Sequence, residues 1–528
     1  MSKAKLTSLE LRNFKAFEET AEIELRPLTV ILGRNNSGKS SLIQSLLLLK
    51  QTLADPRPDV MLKLEGVVDA FNLRELTFGW PEKNNEVKGP VITVGWECRV
   101  DKQKGLSTSP DLAHLVKHSN VNWLGAGQQF KTLRTTLSLH TSEIYGDAKI
   151  TKLELRSFSG EQETTLDIEF GGQSCACYWN GKLASKISVE LDNFIPILSI
   201  DKKNLGPRNV ERAYHNAYLV IFEQPLEALK ALLSEFHYLG SARQPPPSLF
   251  KPATADPGDI GVSGEFAAQL LHRRKNDIVH FLPLFTIKDE KIKTVANVTA
   301  STLEEAVNSV MRSLSIETPS QIKDIENIGF QLMFGKASLS HVGRGLGQLL
   351  PMVELGLFSD PLRFNGNATE LPLEEYLEEC TGFGHIALEE PEAHLHPKVA
   401  SLLAHWLVSL SQSSRRVIVE THSDHLVRRL RGLVARAEKG SDFEKWLLDN
   451  VVILSVEQDK KGRSSVNKSY LTRDGGLGEL WPADFMDEAS EEESAIYYAQ
   501  MDKGAASEIN TQDVKLTEEK EVDMDEAP

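Results

Sequence analysis

The run Gly33-Arg-Asn-Asn-Ser-Gly38-Lys39-Ser40 constrains this chain more than any other stretch. It follows Leu28-Thr-Val-Ile-Leu32, a short apolar, β-branched run that reads as a buried strand. It precedes Ser40 to Leu53, which is strongly helical in composition. A glycine-rich turn in that context fits G-x-x-x-x-G-K-[ST], a phosphate-binding loop. Each residue type has a physical reason. Gly33 and Gly38 permit close backbone approach and unusual φ. Successive N–H groups and the helix N-terminus offer positive potential to phosphate oxygens. Lys39 supplies a point charge to β- and γ-phosphates, and the Ser40 hydroxyl is a hard ligand for Mg²⁺.

Three further constellations lie late in the chain. Ile386-Ala-Leu-Glu389-Glu390-Pro391-Glu392 is an apolar strand ending in adjacent carboxylates. One can hold Mg²⁺ and the other can orient or deprotonate an attacking water. Glu389 is assigned to the metal and Glu390 to the water, with Glu392 as a third candidate. Val417-Ile-Val-Glu420-Thr-His422-Ser-Asp424 is a strand ending in a polar turn. His422 lies 32 residues after Glu390, with a helix and a strand between them. In a parallel sheet that crossover returns both strand ends to one edge, where ligands bind. Leu339-Ser340-His-Val-Gly343-Arg344-Gly345-Leu-Gly347-Gln348 leads into an apolar helix and forms a second anion-binding turn. One chain needs one phosphate loop per nucleotide, so this turn is expected to reach the nucleotide of another subunit. His394-Leu-His396 lacks a third metal ligand nearby and precedes Pro397, so packing and capping roles are expected.

Composition narrows the classes. The chain has 528 residues and a formal net charge of −16. Residues 487–528 hold fourteen acids against three lysines, so most of the charge belongs to an acidic tail with little folding drive. The body is nearly balanced and carries local basic clusters, Arg273-Arg274-Lys275, Arg415-Arg416 and Arg428-Arg429-Arg431, that could form a basic surface. No apolar window is long enough to span a bilayer, and the first residues go straight into an alternating strand pattern. Four cysteines suit a reducing compartment, with Cys175-Ala-Cys177 read as ordinary strand. A soluble cytoplasmic chain is expected, without membrane partners.

The periodicity predicts an α/β fold. Val91 to Val100 alternates as a strand, and Thr135 to Glu190 reads as a β meander broken by glycines. Residues 213–236 and 264–315 read as helices. Strand, turn and helix follow at 330–357, then strands at 384–388 and 416–420 and helices from about His396 and from Asp424. No sustained heptads occur in the roughly 330 residues between the phosphate loop and the strand at 384, so long coiled-coil arms are not expected.

These pieces, in this order, resemble the ABC-type ATP-binding heads of SMC-like and OLD-like ATPases. Gly33, Asn35, Asn36, Ser37, Gly38, Lys39, Ser40 and Ser41 are similar to Walker A. Glu389 and Glu390, within EEPEAHLHP, resemble Walker B and the catalytic glutamate. Ser340, Gly343 and Gly345 resemble the signature that completes a partner's site, each a candidate for the γ-phosphate. His422 resembles the switch histidine. The opening LELRNFKAFEE is similar to the family's first strands, in which Lys15 can touch the nucleotide. Tyr238-Leu-Gly-Ser-Ala-Arg243, Gly261-Val-Ser-Gly-Glu265 and Trp481-Pro482 recur in bacterial defence-type relatives.

The resemblance implies an ABC-type head, a mixed sheet with flanking helices, split into residues 1–100 and 331–486. Residues 101–235 are expected as an inserted β-rich region, 236–330 as loop and helices, and 487–528 as a disordered tail. It implies ATP and Mg²⁺ as cofactors and a homo-oligomer in which two heads sandwich two ATPs. Only 106 residues follow His422, too few for a Toprim nuclease as well as the tail, so a nuclease effector would be a separate chain. The chain also looks like the ATPase subunit of a two-component anti-phage system of the PARIS type, which implies a separate Toprim effector held by the ATPase and a phage trigger such as a DNA mimic. The alternative is an SMC-like DNA-repair ATPase acting directly on DNA.

Overall fold

The computed structural model describes residues 4–80, 86–101, 130–144, 147–171, 174–200, 210–363, 369–478, 492 and 494–500. Residues 1–480 form one unit, and 481–528 a second. Of the second unit, Glu492 and residues 494–500 are described and are helical; the rest of the expected tail, with Trp481-Pro482, lies outside the described residues.

A six-stranded sheet carries the phosphate loop. Its order is Phe236–Leu239, Gly384–Glu389, Arg415–Glu420, Leu28–Gly33, Val451–Gln458 and Ser464–Ser469, with only the last strand antiparallel. Leu28–Gly33, Gly384–Glu389 and Arg415–Glu420 are buried at every position. Near-continuous burial is expected of parallel strands covered on both faces. Alternate residues Ile31, Ala387, Ile418, Val452 and Leu454 face one core. The helix Lys39–Leu53 and the segment around Tyr218–Phe236 share that core. The helices Arg344–Phe358 and Pro397–Gln412 also pack on this sheet.

A nine-stranded antiparallel sheet closes the same core from its other side. It runs from Lys182–Leu183 through the meander to Glu86–Asp101, then Lys5–Phe14 and its short partners. Its inward residues, Leu9, Leu11, Trp96, Leu137, Leu155 and Trp179 among them, join the core of the parallel sheet. The strand expected at 91–100 and the meander are present. The boundary expected at residue 100 falls inside the hairpin that pairs Glu86–Asp101 with Phe130–Ile144, so the meander extends the sheet begun by Lys5–Phe14.

The stretch 264–315 differs from the helices expected there. Ala267–Arg274 and Leu303–Ser313 are helical, but Ile278–Phe281 and Asn297–Thr302 pair as antiparallel strands. A hairpin of Thr286–Lys288 and Lys291–Lys293 lies between them. Its turn residues Asp289 and Glu290 adopt positive φ, which ends any helix there. Residues 213–236 also depart from one helix. A π-helical turn, Leu219–Glu223, joins Val210–Tyr218 to Gln224–Ser234, and Phe236 begins a strand. No helix among the described residues is long and apolar enough to cross a membrane.

Candidate functional site

The parallel register brings the expected residues to one sheet edge. Glu389 pairs with Glu420, and Glu420 pairs with Ile31, two residues before the phosphate loop. The carboxyl ends of three adjacent strands therefore meet, the usual ligand edge of a parallel sheet.

The loop's geometry follows from its glycines. Gly33 has φ 156°, and an added Cβ would sit 2.4 Å from the Val456 carbonyl. Gly38 has φ 98° and opens the helix Lys39–Leu53 with no side-chain cap. A helix start without a side-chain cap directs backbone amides into the loop. Arg34, Asn35 and Asn36 are exposed, while Ser37, Lys39 and Ser41 are buried. The Ser464 hydroxyl donates to the Ser37 carbonyl at 2.6 Å, and the Ser464 amide donates to the Ala16 carbonyl, so the antiparallel pair at the sheet edge braces the loop.

Lys39 Nζ donates to the Arg34 carbonyl at 2.9 Å, curled within its own loop. Burial lowers its pKa, and Glu420, Glu390 and Glu389 resist that shift. Lys15, with φ 50°, donates to Gln44 Oε1 on the loop helix at 2.6 Å, so it stands beside the site rather than free of it.

Glu389 is buried, and Oε1 lacks a partner. Burial raises its pKa, while Tyr238 and the Ser241 amide pull it down. Glu390 follows with φ 43°, unusual for a non-glycine residue. Its amide donates to the Glu420 carbonyl at 2.8 Å. Its carboxylate lies 3.9 Å from His422 Nε2, and both side chains are partly open to solvent. Burial lowers the His422 pKa, and Lys39 lowers it further. Glu392 faces the histidine turn: Oε1 accepts from Thr421 Oγ1 at 2.6 Å and from the His422 amide at 3.1 Å.

The turn expected to act in trans sits on the same framework. Gly343 caps the helix Arg344–Phe358, and an added Cβ there meets nothing. Gly345 packs against the His394 carbonyl, where a Cβ would come within 2.8 Å. The Ser340 hydroxyl is shared with Ser338 and His341. His396 caps the helix Pro397–Gln412 by accepting from the Lys398 amide, as expected from its position.

Two residues that sequence reasoning did not single out join this edge. Glu420 accepts from Ser40 Oγ at 2.9 Å. Burial raises its pKa to about 7, with Glu389 adding to the shift. Its strand lies between the phosphate-loop strand and the Glu389 strand, an order that motif spacing does not reveal. Arg243 Nη2 donates to the Glu389 and Glu390 carbonyls at 3.1 and 3.4 Å, and Nη1 donates to the Gln348 carbonyl at 3.1 Å.

The expected basic surface loses one of its members. Arg415 is fully buried, and Arg416 is nearly so and donates to the Leu25 carbonyl. Their strand is central to the sheet, so neither contributes to a solvent face. On the helix beyond, Arg428 pairs with Asp424, Arg429 donates to His405 and Arg431 donates to the Gly475 carbonyl.

Among the described residues no group of three or more His, Cys, Asp or Glu is arranged to hold a metal by itself. The oxygens that do converge are the Ser40 hydroxyl and the carboxylates of Glu389 and Glu420, and each carboxylate keeps one buried oxygen without a partner. Hard oxygen donors few in number fit Mg²⁺, which completes its shell with water and substrate phosphates.

No curated protein matches this chain. Among solved structures, an SMC head bound to the C-winged helix domain of ScpA aligns at 12% identity and TM-score 0.39, over 89% of this chain and 98% of that one. The SMC head domain from Thermotoga maritima aligns at 12% identity and TM-score 0.33, over 88% and 98%. An SMC head with an extended coiled coil bound to the C-terminal domain of ScpA, derived from Pyrococcus furiosus, aligns at 12% identity and TM-score 0.36, over 89% and 97%. Residues 5–176 and 381–427, which contain the phosphate loop, Glu389, Glu390 and His422, match the family model of an AAA ATPase domain.

Proposed function

We propose that this chain binds ATP with Mg²⁺ and hydrolyses it, and that two heads close on two nucleotides. The observation that carries this reading is the convergence of Lys39, Ser40, Glu389, Glu390 and His422 on one sheet edge, with His422 Nε2 3.9 Å from the Glu390 carboxylate. The loop amides and Lys39 hold the phosphates, with Asn35, Asn36, Ser37 and Ser41 around them. Ser40 and Glu389 serve the metal, which when bound neutralises developing phosphate charge. Glu390, whose side chain is partly open to solvent, orients and deprotonates the attacking water, and His422 contacts that water or the γ-phosphate. Ser340, Gly343 and Gly345 of a second copy complete the site.

At the level of the cell, the chain is the ATPase sensor and scaffold of an anti-phage complex of the PARIS type, controlling a separate Toprim-type nuclease and answering to a phage trigger. The support is the sequence resemblance, in EEPEAHLHP, Tyr238–Arg243 and Gly261–Glu265. The domain ranges expected from the sequence, apart from the boundary at residue 100, and a cytoplasmic location belong to the same proposal. Direct action on DNA is the competing outcome.

The experiment is nucleotide binding and turnover by wild type, Lys39→Ala and Glu390→Gln, with native mass measured in each state. Lys39→Ala should lose binding, and Glu390→Gln should bind ATP, stop turning over and accumulate as dimerised heads. Normal hydrolysis by Glu390→Gln would overturn its role. Co-purification with a nuclease tests the effector, and salt-dependent duplex binding would instead favour the DNA reading.

A further inference from the structure

We infer that Glu420 is a direct carboxylate ligand of the nucleotide-bound Mg²⁺, sharing the ion with Ser40. The inference rests on the nucleotide reading above and extends its metal site to a residue outside the motifs.

Topology is the first argument. The strand Arg415–Glu420 separates the phosphate-loop strand from the strand of Glu389. Glu420 is consequently the carboxylate beside the start of the loop helix, and Ser40 Oγ donates to its Oε1 at 2.9 Å. A serine hydroxyl that serves as a metal ligand needs a carboxylate at this range if the two are to share one ion.

The second argument is an unfilled acceptor. Glu420 is 4% exposed, and its Oε2 is buried without a hydrogen-bond partner. Glu389, directly across in register, is 8% exposed with Oε1 in the same condition. Buried polar oxygens are normally satisfied, and an exception calls for an explanation such as strain, a catalytic role, an ordered water or an ion; two such carboxylate oxygens on adjacent strand ends beside Ser40 fit an ion.

The third argument is charge. Two buried carboxylates stand side by side, with Lys39 as the ammonium facing both, and Lys39 Nζ is turned to the Arg34 carbonyl. Arriving phosphates make the edge more negative and draw Lys39 towards themselves. A divalent cation between phosphate and carboxylates relieves both effects, and Mg²⁺ is commonly held by one or two carboxylates plus substrate phosphates.

The test reads the metal rather than turnover. Mn²⁺ and a non-hydrolysable ATP analogue are bound to the wild-type chain, and the ion is located by anomalous scattering. The expected result is a peak about 2.1 Å from a Glu420 oxygen; a peak beyond about 3.5 Å, with water between, overturns the inference. In parallel, analogue affinity is measured with Mg²⁺ and with chelator. Glu420→Gln should keep the chelator value within about twofold and lose tenfold or more of the tightening that Mg²⁺ gives. Glu420→Cys should recover that tightening with Cd²⁺, whose preference for thiolate a structural role would not produce. An unchanged Mg²⁺ dependence in Glu420→Gln also overturns it. Failure of the wild-type chain to bind the analogue under either condition would sink the nucleotide reading instead, so the two failures are distinguishable.

Discussion

Arg243 Nη2 donates to the Glu389 carbonyl at 3.1 Å while Nη1 of the same guanidinium donates to the Gln348 carbonyl. One planar fork thus ties the carboxylate edge to the N-terminal part of the helix Arg344–Phe358, whose start is the proposed trans contact. Burial is severe enough to lower the arginine's pKa to about 10. A lysine offers a point charge and cannot reproduce the fork. Arg243→Lys should keep nucleotide affinity within about threefold, lower turnover about tenfold or more, and weaken nucleotide-dependent association of heads. Parallel binding, turnover and native-mass measurements decide this. Equal losses in binding and turnover would mean that Arg243 only supports the fold.

Glu392 and Glu390 are separated by what their oxygens touch. Glu392 Oε1 already accepts from Thr421 and the His422 amide, so its work is to hold the histidine turn. A glutamine presents a carbonyl oxygen that can accept both bonds. Glu392→Gln should therefore stay within about threefold of wild-type kcat, and Glu392→Ala should lose much more. Glu390→Gln, lacking a base, should fall by about a hundredfold or more, within the usual worth of general base catalysis. Steady-state ATP hydrolysis by the three variants distinguishes water activation from positioning. Collapse of Glu392→Gln to the level of Glu390→Gln would reverse the assignment.

The legible parts of this molecule were those whose signal is local. Leu28–Gly33 and Gly384–Glu389 announce themselves as buried apolar runs ending in glycine or acid. Glu420 ends the apolar run just before His422, yet its importance depends on strand order, which puts it next to Ser40 from 380 residues away. Arg243 is similar: the sequence marks its neighbourhood, but its three carbonyl partners lie over 100 residues downstream. Residues 278–302 failed for another reason. The hairpin's short strands carry Lys288, Lys291 and Lys293 around an acidic turn and lack the apolar alternation that identifies a half-buried strand, so pairing alone defines them. The meander read correctly as strands, but its hydrogen-bonded continuity with Lys5–Phe14 is a non-local fact.

Arg415 anchors the base of the strand that carries Glu420 and leads into the His422 turn. Its guanidinium donates to Tyr376 Oη, the Ser413 carbonyl and the His280 carbonyl, and it lies 3.6 Å from Asp360. Asp360 also accepts from Tyr376 Oη and the His280 amide. All five residues are buried. Removing one partner of a buried pair leaves the other charge uncompensated and costs about 3–5 kcal/mol. Arg415→Met should lower thermal stability by that order. Asp360→Asn with Arg415→Met should recover part of the loss, because the orphaned charge is gone. Denaturant melts of Arg415→Met, Asp360→Asn and the double variant check this; strictly additive losses would contradict the network.

Two buried histidines set an acid limit on stability. Burial, with the Arg416 charge adding to it, lowers His385 to about 3, and burial with Arg429 lowers His405 to about 4. Their partners define the neutral forms. The Leu6 amide donates to His385 Nε2, leaving Nδ1–H for the Phe383 carbonyl, and Arg429 Nε donates to His405 Nε2. In the unfolded chain both protonate near the ordinary value of 6.5. The unfolded state therefore binds more protons in the window between about 6.5 and 4. Their contribution is whole above that window and is lost as pH falls through it, by up to about 1.4 kcal/mol per pH unit for each histidine. Below about 4, His385 alone continues the loss down to about 3. Denaturant unfolding at pH 7, 6 and 5 should show stability falling with acidification. His385→Gln should lower stability at pH 7 yet flatten the slope by about 1.4 kcal/mol per pH unit towards pH 5. An unchanged slope would mean that His385 protonates equally in both states.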